Sequence, residues 1–289
     1  MTISETIPLN TSEDWTVEHA VAAVSASLKG VRRLGVAFSG GVDSSLLLAL
    51  ATRALGVDSV IALLGVSPSL AAEERSVAHD VASQVGVRLV EVMTYEGDRP
   101  EYQANGPDRC FHCKEELFSR IDEGIADRYG LDAIAYGENA DDARRPDRPG
   151  ARAAANHNVL RPLADAGMNK LAVRTLARVL AIQVADKPAA PCLASRIPHH
   201  QLVTPAKLSQ IERAESALRQ LGFVELRVRH HDDVARIELP PADLIRAVSD
   251  PLRSEMLNAV RGAGFRFVTV DIGGIQSGAF TLPLLSDHD

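Results

Sequence analysis

No apolar run in the chain approaches the length of a membrane span, so no spanning helix is expected. The first fifteen residues, MTISETIPLNTSEDW, have neither a basic n-region nor an apolar core, so they do not read as a secretory signal, and the expected compartment is the cytoplasm. Cysteine is scarce: three in 289 residues, an odd number, suggest ligands or reactive thiols rather than a disulfide scaffold. Basic residues are outnumbered, 31 to 38, for a net charge of −7, which argues against a broad nucleic-acid surface. The sequence has no G-x-x-x-x-G-K-[ST], and no G-x-G-x-x-G follows a strand. Internal repeats and low-complexity tracts are also missing. What remains is an ordinary globular composition, 46% hydrophobic and 24% charged, long enough for one large domain and a smaller one.

The stretch that organises the chain is Leu34 to Leu50, LGVAFSGGVDSSLLLAL. It predicts a buried strand, a tight turn at Ser39, Gly40 and Gly41, and a helix running towards Gly56. Glycines in the turn allow positive φ and close approach of a ligand to the backbone. A helix start offers unpaired N–H groups and the positive end of its dipole, an anion site. Ser39, Ser44 and Ser45 add hydroxyl donors, and Asp43 adds a carboxylate that a Mg²⁺ would bridge to the anion. The alternative is a serine-rich turn that only caps the helix. The motif resembles the PP-loop of the ATP pyrophosphatase superfamily, whose members cleave ATP between the α- and β-phosphates.

Taken in order, residues 15 to 29 have helical spacing, and 57 to 66 form a second apolar run. A helix over 70–85 and a strand over 87–92 follow. Strand–helix–strand–helix–strand predicts an α/β fold, a doubly wound parallel sheet with ligands beyond the carboxyl ends of its strands. A helix is expected from about Lys114, a strand over 134–136, a mobile loop over 144–158 and a helix near Met168. The proline-rich 188–198 stretch is the natural junction between a domain over 1–190 and a smaller α+β domain over 191–289. In the latter, a helix over 208–221 precedes strands at 224–230 and 234–239, two short helices and a strand at 266–272.

Several constellations fit chemistry. Glu138, Asp141 and Asp142, just after a predicted strand, either bind Mg²⁺ with pyrophosphate or cap the next element. Lys170 is a candidate to neutralise phosphate; an exposed lysine is the commoner fate. Cys110 and Cys113 form a C-x-x-C at a helix start, a redox pair or half a zinc site, but no second C-x-x-C or H-x₃₋₅-H completes one. Cys192, between prolines and near Arg196, is either a nucleophile of lowered pKa or a small buried linker residue. Arg227 and Arg229, two apart on a strand, share one face and suit a phosphate or carboxylate. His199, His200, His230 and His231 read as surface residues.

SGGVDSS, RCFHCK, GENADD, RPL followed by Lys170, PCLASRIP and RVRHHDDVARIEL occur in that order over nearly the whole chain. Together they resemble the LarE family of ATP-dependent sacrificial sulfur transferases, which make the nickel-pincer nucleotide cofactor of lactate racemase. The resemblance implies a PP-loop domain of adenine nucleotide α-hydrolase type and a smaller domain used in assembly. It implies ATP, Mg²⁺ and a small-molecule substrate, pyridinium-3,5-biscarboxylic acid mononucleotide, with no nucleic acid and no membrane. A substrate carboxylate would attack the ATP α-phosphate, and a sulfur nucleophile would then displace AMP to leave a thiocarboxylate. Cys192 corresponds to the sulfur-bearing cysteine, with Asp43 and Glu215 beside it in the catalytic set. Arg196, Arg227 and Arg229 would hold substrate, and Glu238 is a further acidic residue of the site.

Family members with a single cysteine give up its sulfur and keep dehydroalanine. A chain with Cys110, Cys113 and Cys192 instead resembles the cluster-dependent type, in which three thiolates hold a [4Fe–4S] cluster and the fourth iron is open for sulfide. A homo-oligomer, trimer or hexamer, is implied, with the apolar Ile275 to Leu285 as a candidate interface. The competing expectations are a PP-loop tRNA thiolation enzyme, which predicts a basic face, and a nucleotide-binding regulator without turnover. NAD or GMP synthetases need an ammonia source that this chain does not carry.

Overall fold

A computed structural model describes residues 15–145 and 149–275. The expected interface stretch beyond Ile275 lies outside these residues. The chain folds as two compact units. The first comprises 1–65, 73–93 and 117–189; the second comprises 66–72, 94–116 and 190–289. The chain thus passes between units at 189/190, next to the expected junction. Two earlier segments also belong with the C-terminal residues, which an expectation of two consecutive domains does not contain.

The first unit is built on a four-stranded sheet. Its strands are β1 (Leu34–Ala37), β2 (Val60–Val66), β3 (Arg88–Met93) and β4 (Ala133–Tyr136), in the order β3-β2-β1-β4. β1 pairs in parallel with β2 and with β4, with Gly35 opposite Ile61 and Ile134. The apolar runs of β1 and β2 are buried, as expected of a strand covered on both faces. Helices α1 (Val17–Ser27), α2 (Val42–Leu55) and α3 (Ala72–Val85) cover it, with Leu46, Leu47, Leu48 and Leu50 of α2 fully enclosed. Each such side chain contributes about 1.5–3 kcal/mol on leaving water. Strand order runs outward from β1 to β3 on one side and jumps to β4 on the other. The carboxyl end of β1 is therefore the topological switch point where such sheets bind ligands.

The second unit has a three-stranded sheet, β5 (Arg227–His231), β6 (Val234–Glu238) and β7 (Phe267–Val270), in that order. β5 and β6 form the expected antiparallel hairpin, with Arg227 opposite Glu238, and β7 adds in parallel to β6. Leu218, Phe223, Val228, Ile237, Leu239, Val260 and Phe265 form its core. A second apolar cluster joins Tyr102 to Leu193, Ala194, Ile197, Val203, Leu208 and Ile211.

Three local expectations change. The helix expected from about Lys114 begins at Arg109, so both cysteines of the C-x-x-C lie in its first turns. The supposed loop over 144–158 contains a helix, Pro149–Asn156, which buries Ala153 and Ala154. Proline opens this helix rather than breaking it, because the first helical N–H has no intrahelical partner to lose. His230 is not a surface residue: it is buried on β5, with Nε2 at 3.1 Å from Gln210 Oε1. Burial lowers its pKa, which favours the neutral ring. Among the described residues, no helix is long and apolar enough to cross a membrane.

Candidate active site

The turn after β1 folds on its own hydroxyls. Ser44 Oγ donates to Gly41 O at 3.0 Å, lies 3.2 Å from Ser39 Oγ and accepts from Ser39 N at 3.3 Å. Gly40 takes φ +72, and a Cβ there would meet backbone of Ala78 at 3.1 Å, so the turn needs glycine for both conformation and space. No side-chain hydrogen bond caps α2 at Gly41, and a helix start of that kind offers amides to an anion. Ser39 is exposed and Ser44 is buried in the turn. Ser45 is fully buried within α2, with no hydrogen-bond partner for its hydroxyl among the described residues.

Asp43, in the first turn of α2, is held from two sides. Its Oδ2 carries the ammonium of Lys170, and its Oδ1 accepts from Asn139 Nδ2 at 2.9 Å. Lys170 opens a helix capped by Asn169, and its backbone N–H donates to Asp141 Oδ2 at 2.8 Å. The acidic turn after β4 is therefore tied to both the nucleotide turn and the lysine. Gly137 makes the approach possible, because a Cβ there would lie 2.5 Å from Ser44 N and 2.7 Å from Asp43 C. Glu138 is buried, with Arg161 Nη1 at 3.6 Å from its Oε2. Among the described residues, no three His, Cys, Asp or Glu side chains converge as a complete metal cage. Mg²⁺ that travels with a nucleotide needs only one or two carboxylates besides phosphate, and Asp43, already in contact with a cation, fits that role.

The second unit holds the three cysteines. Cys110 and Cys113 lie early in the helix Arg109–Arg120, and Cys192 precedes the short 3₁₀ turn Leu193–Arg196. The Cys113 thiol is pushed well up, first by burial and then by Glu96, Cys192 and Cys110. Buried Arg109 sits among them, donating to Ala194 O at 3.0 Å and to Asn105 Oδ1. Burial opposes its charge, but Cys192, Cys110 and Tyr102 more than offset this, and its pKa is raised. Cys110 and Cys192 are exposed and Cys113 is half-buried. Ser69 pins this region: its hydroxyl meets Tyr102 Oη at 2.5 Å, and its carbonyl accepts from Leu193 N at 2.9 Å. Among the described residues, these thiols do not form a set able to hold a metal ion, although thiolate is the ligand type that an iron–sulfur cluster uses.

Around Cys192, Arg196 and Arg229 are locked in ion pairs. Arg196 donates Nε to Glu215 Oε1 at 2.9 Å and Nη2 to Oε2 at 3.2 Å, while its Nη1 reaches Cys192 O at 3.3 Å and Ser195 Oγ at 3.0 Å. Glu215 also accepts from Arg219 at 3.3 Å and from Val228 N at 3.0 Å. It therefore anchors Arg196 here, with both oxygens engaged, rather than standing open as an acid or base. Arg229 forms a fork-to-fork pair with Glu238, at 2.9 and 2.8 Å, and donates to Ser195 O at 2.9 Å. Arg227 is buried on the same face of β5, and burial together with Arg229 and Arg196 lowers its pKa. The structure thus gathers Arg196, Arg227, Arg229, Glu215 and Glu238 about the Cys192 turn. It also adds Arg109 and Tyr102 there, and in the first unit Asn139 beside Asp43, none of which the sequence singles out.

A family model described as asparagine synthase matches residues 18–116. The chain is 40% identical to an uncharacterized protein of Synechocystis sp. over 84% of its length and 90% of that protein. It is 26% identical to an uncharacterized protein of Methanocaldococcus jannaschii over 83% of its length and 90% of that protein. To pyridinium-3,5-bisthiocarboxylic acid mononucleotide synthase of Lactiplantibacillus plantarum it is 35% identical, over 89% of this chain and 92% of the synthase. With a nucleotide turn at the switch point of a parallel sheet and a match to that synthase over nearly its full length, the chain belongs to the LarE family of ATP-dependent enzymes.

Proposed function

We propose that the chain is a sulfur transferase that adenylates a carboxylate of pyridinium-3,5-biscarboxylic acid mononucleotide and converts it to a thiocarboxylate. A carboxylate oxygen attacks the ATP α-phosphorus and pyrophosphate departs with its bridging oxygen. A sulfur nucleophile then adds to the acyl carbon, and AMP leaves with the former carboxylate oxygen. Adenylation is needed because a carboxylate oxygen is otherwise a poor leaving group. The α2 N-terminus, Ser39, Ser44, Asp43 and Lys170 would hold the nucleotide; Arg196, Arg227 and Arg229 would hold the substrate phosphate. Glu215 and Glu238 keep two of those arginines in place.

The observation that supports the sulfur step is that Arg109, next to Cys110, donates to Ala194 O at 3.0 Å and Cys113 packs against the Leu193 and Ala194 cluster that follows Cys192. It supports the three-thiolate type, in which Cys110, Cys113 and Cys192 would bind a [4Fe–4S] cluster. When bound, that cluster supplies an open iron for sulfide. Protein purified without oxygen and incubated with ATP, Mg²⁺ and the dicarboxylated pyridinium tests both parts. The expected results are a brown, iron-containing protein and a product heavier by the exchange of oxygen for sulfur. An absence of thiocarboxylate product overturns the transferase. A colourless protein that makes the product while Cys192 loses its sulfur overturns the cluster alone.

A further inference from the structure

Asn139 is 1% exposed, and all its side-chain hydrogen-bonding capacity is used. Its Oδ1 accepts from the backbone N–H groups of Asp141 and Asp142, both at 3.0 Å. Its Nδ2 donates to Asp43 Oδ1 and to Asp142 Oδ2, both at 2.9 Å. The two backbone donors fix which way the amide faces, because an N–H cannot donate to an NH₂. One NH₂ therefore stands between two carboxylates from different elements, α2 and the turn after β4. Like charges that close oppose each other, and two shared protons offset the repulsion. Asp43 keeps its second oxygen for a cation, the place Lys170 takes here. Gly137, two residues before Asn139, admits the turn to this distance.

We propose that Asn139 is the positioning residue of the nucleotide site: by holding Asp43 and Asp142 on one amide, it sets the carboxylates that face the cation of bound Mg·ATP. The plain alternative is a helix cap and nothing more, since Asn139 does cap the short helix Ala140–Ala143. The two roles separate by chemistry. Serine and aspartate cap as well as asparagine does, but neither has the NH₂. The inference rests on the ATP site of the proposed function and not on the acyl acceptor. A chain that binds Mg·ATP yet makes no thiocarboxylate fails that function and leaves this inference standing.

The test is calorimetric titration of Asn139→Ser with ATP, once with Mg²⁺ and once with EDTA, beside thermal unfolding of the same protein. A melting temperature within a few degrees of the unsubstituted chain is expected, with ATP affinity in EDTA kept within about twofold. Affinity for Mg·ATP is expected to fall about ten- to hundredfold, the size of a charge-assisted hydrogen bond. Should the serine variant not fold, Asn139→Asp keeps both cap and shape. It replaces the donor with a third carboxylate, and Mg·ATP affinity should fall at least as far. Mg·ATP binding within twofold of the unsubstituted chain in either variant overturns the proposal. So does an equal loss of affinity with and without Mg²⁺ in Asn139→Ser, which would assign the residue to the fold of the turn.

Discussion

Replacing Glu215 with glutamine keeps the shape of the side chain and removes its charge. The side chains of Glu215 and Arg196 are 1% and 5% exposed, so the guanidinium would stay buried without its counter-charge. Breaking one partner of such a pair costs about 3–5 kcal/mol. Arg196 keeps acceptors at Pro191 O, Cys192 O and Ser195 Oγ, which favours the lower end, about 3 kcal/mol. At about 2–4 °C per kcal/mol, the unfolding transition should drop by about 10 °C. Because Arg196 holds the Cys192 turn, iodoacetamide should also alkylate Cys192 faster in Glu215→Gln. The double variant Arg196→Met with Glu215→Leu removes both charges and should recover part of the loss, with about 1–3 kcal/mol remaining because the buried Val228 N–H loses its acceptor. Scanning calorimetry and peptide mass mapping read the two effects. A cost below about 1 kcal/mol for Glu215→Gln, with unchanged alkylation of Cys192, would refute the argument that this pair is desolvated and holds the turn.

Gly137→Ala should abolish measurable ATP binding, since its Cβ would lie 2.5 Å from Ser44 N and force the two turns apart; unchanged binding by calorimetry would contradict the close approach. At a pH of about 7.5, exposed Cys110 and Cys192 should be alkylated before Cys113, whose thiol is half-buried and pushed up by burial; mass mapping that finds Cys113 first would contradict that order. Arg75, and after it His79, lower Glu91 to about 2, so its contribution is present above the unfolded value near 4.5 and is lost as pH falls towards 2. Glu91→Gln should therefore cost up to about 1 kcal/mol near pH 6, with a gap to the unsubstituted chain that closes on acidification in urea titrations; a gap that widens would reverse the sign.

The nucleotide turn was legible because its signal is local: an apolar strand, SGG and an apolar helix fall within Leu34 to Leu50. The α/β class followed from the apolar runs of β1 and β2 for the same reason. What sequence could not show depends on pairing at long range. Tyr102 joins Leu193 and Ala194, and Arg196 finds Glu215, through contacts that no periodicity encodes. His230 shows the same limit: alternation along β5 does not say which face Gln210 and Phe265 will cover. Asn139 was within reach, since an asparagine before two aspartates is a helix-start signal, but the acidic residues of GENADD drew the chemical reading instead. Pro149 reads as loop punctuation, yet proline equally opens helices.

The second unit draws on residues 66–72 and 94–116 as well as 190–289, and this bears on how the enzyme can be taken apart. A hybrid that exchanges only the last hundred residues between relatives would import Cys192 without Cys110 and Cys113. The transplanted piece would also leave behind Ser69 and Tyr102, against which its Leu193 turn is seated. Any exchangeable cassette must instead be assembled from three separate stretches of the gene, so the three cysteines travel only with the nucleotide scaffold that interrupts them.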